Sequence, residues 1–489
     1  MNFETIIGLE VHAQLLTKSK MFCRCSADYA TALPNTHVCP VCLGMPGVLP
    51  VINQKAVEYT IITALALNCT ISDCTKFDRK NYPYPDLMKG YQISQYDAPV
   101  GHHGWLTFEV NGEKKKVGIT RVHLEEDVAK LLHCALPGGE SYSLVDVNRS
   151  GVPLMEIVGE PDLRSPEEAR QYLIKLRSIL QYLGVSTGNM EEGSFRCDAN
   201  ISIRSEGSPD SMAKVEVKNM NSFRAVYRAM DYEARRQRKA VAEGKRLVQE
   251  TRGWVEGKGK TVSQRSKEYA HDYRYFPEPD LPPLVLSREW VEEIRSRLPE
   301  LPDVRCDRFI AEYSLPLYDA SLLTSSKAMA DYFEECMKTG IPGGLPLPQR
   351  AKMVSNWLVG EFSRLLNVAN IGIDTSRVKP EQLCRLLALI PTGTVSSTGA
   401  KMVFEEMFKT GEDAASIIAR RGLSQISDTQ QLEKAVSQVI EANAQAVADF
   451  KAGKTPALQY LVGQVMRATK GRANPEVVNE LLKQKLEEG

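Results

Sequence analysis

The stretch RVHLEEDVAKLLH, residues 121–133, sets one histidine and three acidic side chains within a few positions of one another. One interpretation is the solvated start of a helix, because acidic side chains stabilise a helix N-terminus. The other is a β-strand, in which alternation places His123, Glu125 and Asp127 on one face. Like charges this close repel one another unless a cation separates them, so the strand predicts a binding site.

Four further segments alternate in the same way, namely IIGLEVHAQL, PLMEIVGE, RCDANISIR and KVEVKN. Their polar positions include Glu10, His12, Glu156, Asp198 and Glu216. One such strand is typical of an antiparallel sheet with a solvated face. Several strands that each present a carboxylate are better explained by divalent cations, and Mg²⁺ prefers oxygen ligands completed by phosphates. We therefore predict a Mg²⁺ and ATP cradle on this sheet, with Glu125 as its leading ligand.

The cysteine spacing predicts a structural zinc site near the N-terminus. Cys23 and Cys25 form a C-x-C pair, and Cys39 and Cys42 form a C-x-x-C pair further along the chain. Two such pairs can close a tetrahedral thiolate site, and four thiolates leave no open position for catalysis. A set of unligated thiols is the alternative, because the chain has eleven cysteines and is expected to keep most of them reduced.

The length and composition indicate a soluble globular protein. The chain has 489 residues, of which 43% are hydrophobic and 25% charged. Its 61 basic and 61 acidic residues balance, so any surface that binds nucleic acid must be local. No apolar run is long enough to cross a bilayer, and the N-terminus MNFETIIGLEVH lacks the basic region of a signal peptide. We therefore expect a cytoplasmic protein.

Hydrophobic periodicity predicts a mixed N-terminal part and a helical C-terminal part. Helices are predicted at about 166–183, where Ser165 is the expected N-cap, and from about Ser222 to Glu243. The proline-rich segment 272–286 has the composition of a boundary. Beyond it the pattern is helical, including one long helix predicted from about Thr429 to Phe450.

Longer motifs follow one another in a set order. They are IGLEVHAQL, KFDRKNYPYPDLMKGYQISQYD, GITRVHLEEDVAK, VDVNRSGVPLMEIV, MEEGSFRCDANIS, ETRGW and DYRYFPEPDLPPL. Together they resemble the GatB/GatE family, the B subunits of tRNA-dependent amidotransferases. The C-terminal stretch ALQYLVGQVMRATKGRANPEVVNELLKQKL resembles the YqeY-like tRNA-binding tail of that family.

The resemblance implies an α+β fold in three parts. These are a mostly antiparallel, glutamine-synthetase-like cradle over 1–292, a helical domain over 293–412 and a YqeY-like helical tail over 413–489. It also implies an enzyme that uses ATP to phosphorylate the side-chain carboxylate of Glu-tRNA(Gln), Asp-tRNA(Asn) or both. The expected partners are the amidase A subunit, which would release ammonia, and the small C subunit. The ammonia would then convert the activated substrate to Gln-tRNA(Gln) or Asn-tRNA(Asn). A noncatalytic tRNA-binding subunit with a structural zinc site is the alternative.

The resemblance also implies roles for individual residues. The expected Mg²⁺ ligands are Glu10, His12, Glu125, Glu156, Asp198 and Glu216, of which Glu125, His12 and Glu10 are the expected catalytic residues. A local basic set in the tail is predicted to contact the tRNA backbone, and a solvated helical face is the alternative. This set consists of Lys451, Lys454, Arg467, Lys470 and Arg472.

The mode of phosphate binding is less clearly marked. The segment WVEGKGKT, 254–261, ends like a P-loop, but Trp254 replaces its first glycine, so we predict a mobile hairpin there. Lys80 and Lys89 bracket the turn NYPYPDLM and could bind phosphate or admit ammonia. Ordinary surface lysines are the alternative.

Overall fold

The computed structural model describes residues 3–136, 139, 141–208, 211–266, 273–341, 345–423, 429–451, 456–469, 473 and 475–488. The chain divides into two compact units, Met1–Leu301 and Pro302–Gly489, here called the first and second units. The first unit is mixed α and β, and the second is helical.

The first unit contains all of the described strands and five of the described α-helices. The strands are β1 (Phe3–Gln14), β2 (Thr70–Ile71), β3 (Cys74–Thr75), β4 (Asp78–Asn81), β5 (Tyr91–Ser94), β6 (Gly101–Val110), β7 (Glu113–Glu126), β8 (Lys130–Ala135), β9 (Ser141–Asp146), β10 (Pro153–Gly159), β11 (Phe195–Ser205), β12 (Val215–Lys218), β13 (Glu250–Val255), β14 (Lys260–Ser266), β15 (Phe276–Pro277) and β16 (Leu284–Val285). The helices are α1 (Pro40–Leu43), α2 (Gln54–Ala66), α3 (Pro166–Tyr182), α4 (Phe223–Ala242) and α5 (Arg288–Ser296).

One nine-stranded sheet organises this unit, in the order β14-β13-β12-β11-β1-β10-β7-β6-β2. Its neighbouring strands are antiparallel except for the parallel pair β12 and β13. The hydrophobic core of the first unit, here called the first core, includes one face of the central strand β1. The buried residues on that face are Ile7, Leu9, Val11 and Ala13. Helices α2, α3 and α4 pack on the sheet. Because strand side chains alternate, Glu10 and His12 of β1 lie on the opposite face, as predicted.

The stretch 121–133 is not a helix. Strand β7 runs to Glu126, and residues 130–135 form β8, which pairs with β9 in a separate hairpin. The helix-start interpretation is therefore wrong. The hairpin predicted at 254–261 is confirmed as antiparallel pairing between β13 and β14, with the side chain of Trp254 buried, whereas its mobility stays a prediction.

Both helices predicted in the first unit are confirmed. The Ser165 Oγ accepts a hydrogen bond from the Glu168 N–H at 3.1 Å and so caps α3, whose Leu173, Leu176 and Leu180 are fully buried. The Ser222 Oγ caps α4 in the same way, through the Ala225 N–H at 3.0 Å.

The described part of the proline-rich segment, residues 273–286, packs within the first unit. Its strands β15 and β16 pair with β4 and β3. The carboxylate of Glu278 in this segment binds the Arg79 guanidinium at 2.6 and 2.7 Å. The first unit extends beyond this segment to Leu301, because helix α5 buries Val291 and Ile294 in the first core.

The second unit contains two hydrophobic clusters, one from Cys306 to Leu423 and one from Leu432 to Leu486. Its helices are α6 (Pro302–Tyr313), α7 (Leu317–Thr324), α8 (Lys327–Thr339), α9 (Leu347–Trp357), a π-helical turn (Leu358–Phe362), α10 (Ser363–Ala369), α11 (Pro380–Ala388), α12 (Ser397–Thr410), α13 (Ala414–Arg421), α14 (Thr429–Ala442), α15 (Ala444–Lys451), α16 (Pro456–Ala468) and α17 (Pro475–Glu488). Helix α13 belongs to the earlier cluster, although the sequence places the start of the tail at 413. The division into three domains stays a prediction.

The single long helix predicted from Thr429 to Phe450 is wrong, because α14 ends at Ala442 and α15 begins at Ala444. Asn443 lies at the break, and its side-chain amide donates to the Val439 carbonyl oxygen at 2.8 Å. A short amide side chain that bonds the backbone competes with the helical ladder, which explains the interruption. None of the described helices is both long and apolar enough to span a membrane.

Candidate functional site

The polar face of the sheet brings His12, Glu125 and Glu156 together. His12 on β1 is paired with Glu156 on β10, which is paired with His123 on β7. The His12 Nε2 lies 3.5 Å from a Glu125 oxygen and 3.7 Å from a Glu156 oxygen. The His123 Nε2 lies 3.1 Å from the same Glu156 oxygen. Three strands that are distant in sequence thus converge on one group of side chains.

The two carboxylates of this group are buried, whereas the side chain of His12 is 20% exposed. Glu125 is 2% exposed and Glu156 is 8% exposed. Burial alone would raise the pKa of Glu156, but His123 and His12 outweigh burial and hold that pKa well below its ordinary range. Glu156 is therefore a carboxylate at neutral pH.

The donor set fits a divalent cation. One ligand atom from each of His12, Glu125 and Glu156 lies within 4.8 Å of the others. The Nδ1 atom of His123 is buried and has no hydrogen-bond partner among the described residues. Carboxylate oxygens are the ligands that Mg²⁺ prefers, and imidazole nitrogen suits transition metals better. Magnesium thus remains the prediction for this group of side chains.

Lys80 lies beside this group. Burial would lower the pKa of Lys80, but the charges of Glu125 and Glu156 raise it above its ordinary value. The Lys80 Nζ lies 4.9 Å from the ring centre of Tyr273 and 5.8 Å from that of Tyr82. The site therefore combines two buried carboxylates with one aromatic-lined ammonium group.

Lys89 has a different environment. Its ammonium group pairs with Glu126, the residue after Glu125, and successive strand residues face opposite sides of a sheet. Lys89 lines a cavity of about 210 Å³ together with Arg79, Glu126 and Cys42. The structure thus gives the two lysines different carboxylate neighbours.

The other predicted Mg²⁺ ligands lie on neighbouring strands. The Lys218 Nζ is 2.6 Å from an oxygen of Asp198 and 3.2 Å from an oxygen of Glu216. Glu10 accepts a hydrogen bond from the Asn200 side-chain amide at 2.8 Å. These acids thus already have protein partners, beside the group of His12, Glu125 and Glu156. Their role as metal ligands stays a prediction. Lys218 was not predicted from the sequence, although its spacing from Glu216 puts both side chains on one face.

A second residue missed in the sequence is Arg196, which pairs with His12 across β11 and β1. Its guanidinium lies 3.1 Å from the buried carboxylate of Asp127. Asp127 also accepts a hydrogen bond from Gln14 at 2.7 Å and lies 3.7 Å from Arg149. Burial would raise the pKa of Asp127, but Arg196 and Arg149 outweigh burial and lower it. The signal for Arg196 is its alternation with Asp198.

Asp127→Asn is expected to lower the free energy of unfolding at neutral pH by roughly 2–3 kcal/mol. This is less than the cost of breaking a fully buried pair, because the Arg196 side chain is 34% exposed. Folding lowers the pKa of Asp127. The stability that its carboxylate contributes is therefore complete above the ordinary pKa of ~3.9 and is lost as pH falls through the pKa in the folded protein. Urea unfolding should show the difference narrowing below about pH 4. The exposed Asp28→Asn is the control, and an Asp127→Asn protein as stable as this control would contradict the prediction.

The four predicted zinc ligands are brought together. Their sulfur atoms lie within 4.8 Å of one another, and the Sγ atoms of Cys39 and Cys42 are 3.9 Å apart. A tetrahedron with Zn–S bonds of ~2.3 Å has edges of ~3.8 Å, so this spacing fits zinc. The Cys39 N–H donates to the Cys42 Sγ at 3.1 Å, and Gly44 ends the short helix α1 with φ +68°. These residues form a tight knuckle, and its occupancy by zinc stays a prediction.

The basic set in the tail is described only in part. Arg467 is exposed on α16, and Lys451 ends α15. Lys454, Lys470 and Arg472 lie outside the described residues. Contact of this set with tRNA therefore stays a prediction.

Comparison with known families identifies the class of protein. Residues 5–292 match the GatB/GatE catalytic domain, and residues 331–486 match the GatB domain. The chain therefore belongs to the GatB/GatE family, which confirms the resemblance seen in its motifs.

Individual relatives match along the whole chain. The aspartyl/glutamyl-tRNA(Asn/Gln) amidotransferase B subunit of Dehalococcoides mccartyi is 60% identical over 489 residues, covering 100% of this chain and 99% of the relative. The protein of the same name from Carboxydothermus hydrogenoformans is 55% identical over 484 residues, 99% of each chain. That of Caldicellulosiruptor saccharolyticus is 54% identical over 490 residues, 100% of each chain.

Proposed function

We propose that this chain is the B subunit of an aspartyl/glutamyl-tRNA(Asn/Gln) amidotransferase and carries its ATP-dependent activation site. The substrates would be Glu-tRNA(Gln), Asp-tRNA(Asn) or both, and the products Gln-tRNA(Gln) or Asn-tRNA(Asn). The observation that carries the proposal is the convergence of His12, Glu125 and Glu156 on one sheet face beside Lys80. The relatives named above support the choice of substrates.

The proposed reaction is an ATP-dependent carbon–nitrogen ligation in two steps. The side-chain carboxylate of the aminoacyl group attacks the γ-phosphorus of ATP, which forms an acyl phosphate and releases ADP. Ammonia then attacks the acyl carbon, so that the C–N bond forms as the C–O bond to phosphate breaks. One proton leaves the attacking nitrogen, and inorganic phosphate departs. Phosphorylation is needed because a free carboxylate is a poor acyl donor.

The residues of the chain have separate roles in this scheme. Glu125, Glu156 and His12 would hold Mg²⁺, which neutralises phosphate charge during phosphoryl transfer. The Lys80 ammonium would bind phosphate oxygens from the same side. Glu10, Asp198 and Glu216 would extend the cradle along the sheet, where Lys218 already balances two of the three charges.

The partners follow from the same proposal. The amidase A subunit, assembled with the small C subunit, would hydrolyse glutamine and supply ammonia to the cradle in the cytoplasm. We assign Lys89 and its cavity to the admission of ammonia or the binding of phosphate. We also propose that the nine-stranded sheet is the glutamine-synthetase-like cradle of the family.

A direct test uses the assembled complex with ATP and Mg²⁺, supplied with ammonium salt in place of glutamine. Both misacylated tRNAs should be assayed separately, because the geometry does not choose between them. Amide formation should accompany ADP release and should require Mg²⁺. If the complex binds misacylated tRNA but neither releases ADP nor forms amide, the noncatalytic tRNA-binding alternative replaces the proposal.

Truncation after Leu423 is expected to raise the KM for aminoacyl-tRNA about tenfold or more, since phosphate contacts dominate affinity for nucleic acid. This end point keeps the hydrophobic cluster that reaches Leu423 and removes the separate cluster beyond it. Glutamine hydrolysis by the partner should be nearly unchanged. The KM of the truncated protein should also depend less on salt. An unchanged KM and salt dependence would remove the tail from tRNA binding.

A further inference from the structure

Lys20 is a lysine whose burial the proposed function does not explain. The side chain is 0% exposed, and lysines are almost never fully buried unless they are paired. Among the described residues no ion pair joins Lys20 to a carboxylate. Its Nζ donates one hydrogen bond, at 2.8 Å, to the carbonyl oxygen of His37. A single neutral acceptor does not compensate a buried ammonium charge, so an anion is needed nearby.

The cysteine knuckle supplies the missing anions. The backbone N–H of Lys20 donates to the Cys25 carbonyl oxygen at 2.9 Å. A Cβ added at Gly151 would lie 3.5 Å from the Lys20 Cδ and 3.6 Å from the Cys42 Cβ, so both side chains flank the same point. Lys20 thus bonds the backbone at Cys25 of one cysteine pair and lies beside the side chain of Cys42 of the other.

The positive charge of Lys20 would balance the negative charge of a zinc-bound knuckle. Four thiolates around Zn²⁺ leave a net charge of about −2 in a partly buried site, which is costly without a neighbouring cation. We propose that Lys20 is a positioning residue for the zinc site, acting as the buried counter-cation of the four thiolates and tying Cys25 to the loop at His37. The inference rests on the predicted zinc site and is independent of the proposed amidotransferase activity.

The test measures zinc retention in the full-length protein, with Lys18→Met as the matched control. Lys18 precedes Lys20 by two residues and is exposed, so both substitutions remove one positive charge from the same segment. Transfer of zinc to a chromogenic chelator should be about 10–100-fold faster for Lys20→Met than for the wild type, the usual effect of losing a residue that supports metal ligands. Lys18→Met should release zinc at the wild-type rate.

The possible outcomes separate the two ideas. If the wild-type protein binds no zinc, both the zinc site and the role of Lys20 are overturned. If the wild type binds zinc and Lys20→Met releases it at the wild-type rate, only the role of Lys20 is overturned.

A second measurement needs no substitution and covers the case in which Lys20→Met does not fold. In the zinc-loaded wild type, Lys20 should resist acylation by an amine-reactive reagent, whereas Lys18 should react, as peptide mass spectrometry would show. Removal of zinc by a chelator should expose Lys20 to the reagent. Equal labelling of Lys20 with and without zinc would overturn the inference.

Discussion

Glu125→Gln should abolish ATP-dependent amide formation by the assembled complex, with a loss of about 10³-fold or more in kcat/KM, or ~4 kcal/mol of transition-state stabilisation. The carboxylate of Glu125 is 2% exposed and lies 3.5 Å from the His12 Nε2. Glutamine keeps the size and hydrogen-bonding capacity of the side chain but removes the charge that a divalent cation needs. ADP release that depends on aminoacyl-tRNA should fall in parallel with amide formation.

The same substitution should leave the fold intact. Removing the charge of Glu125 relieves repulsion with Glu156 in the metal-free protein but also removes an attraction to Lys80, so the free energy of unfolding should change little. Glu113→Gln is the matched control, because Glu113 begins the same strand and its side chain is 75% exposed. The control complex should have wild-type activity and stability.

Added ammonium salt distinguishes a role of Glu125 in activating the carboxylate from a role in delivering ammonia. If Glu125 activates the carboxylate, no concentration of free ammonia should restore amide formation in the Glu125→Gln complex, because no acyl phosphate forms. Restoration by ammonium salt would assign Glu125 to ammonia delivery and would contradict the proposed cradle. Undiminished ADP release would contradict it as well.

The local chemistry of this site could be predicted from the sequence, whereas its grouping could not. Alternation alone puts His123 and Glu125 on one face of β7, and His12 on the polar face of β1. Which acids become neighbours depends on the strand order and register, and these are set by pairings between residues far apart in sequence. The structure places β1 between β10 and β11, so that His12 has Glu156 on one side and Arg196 on the other.

The errors in the sequence analysis have similar causes. Periodicity carried the predicted helix through Asn443, where a side-chain hydrogen bond to the backbone ends α14. Prolines marked 272–286 as a boundary, but short edge strands tolerate proline, and Pro277 lies in β15 at the edge of a three-stranded sheet. The burial of Lys20 could not be predicted from the sequence, because it depends on how the cysteine loop folds over the side chain.

Replacing Cys39 and Cys42 together by serine should eliminate bound zinc and destabilise the first unit. Two of the four thiolates are lost, and the remaining Cys23 and Cys25 cannot close a tetrahedral site. A metal that binds only the folded state stabilises it by ~2.7 kcal/mol when its free concentration is 100 times Kd, so we expect a loss of about that size or more. For a unit as large as Met1–Leu301 this corresponds to a fall in Tm of roughly 4 °C.

The effect of losing zinc on chemistry should be smaller than the effect on stability. Four thiolates leave no open coordination position, and the cluster of His12, Glu125 and Glu156 does not include any of the four cysteines. Cys74→Ser, which removes an exposed thiol in β3, is the control and should keep one zinc per chain by metal analysis. Chelation of the wild type should reproduce the lower Tm of the double variant. Full zinc content in the Cys39→Ser/Cys42→Ser protein would show that these cysteines are not zinc ligands, and the knuckle would then be a set of free thiols held by the fold alone.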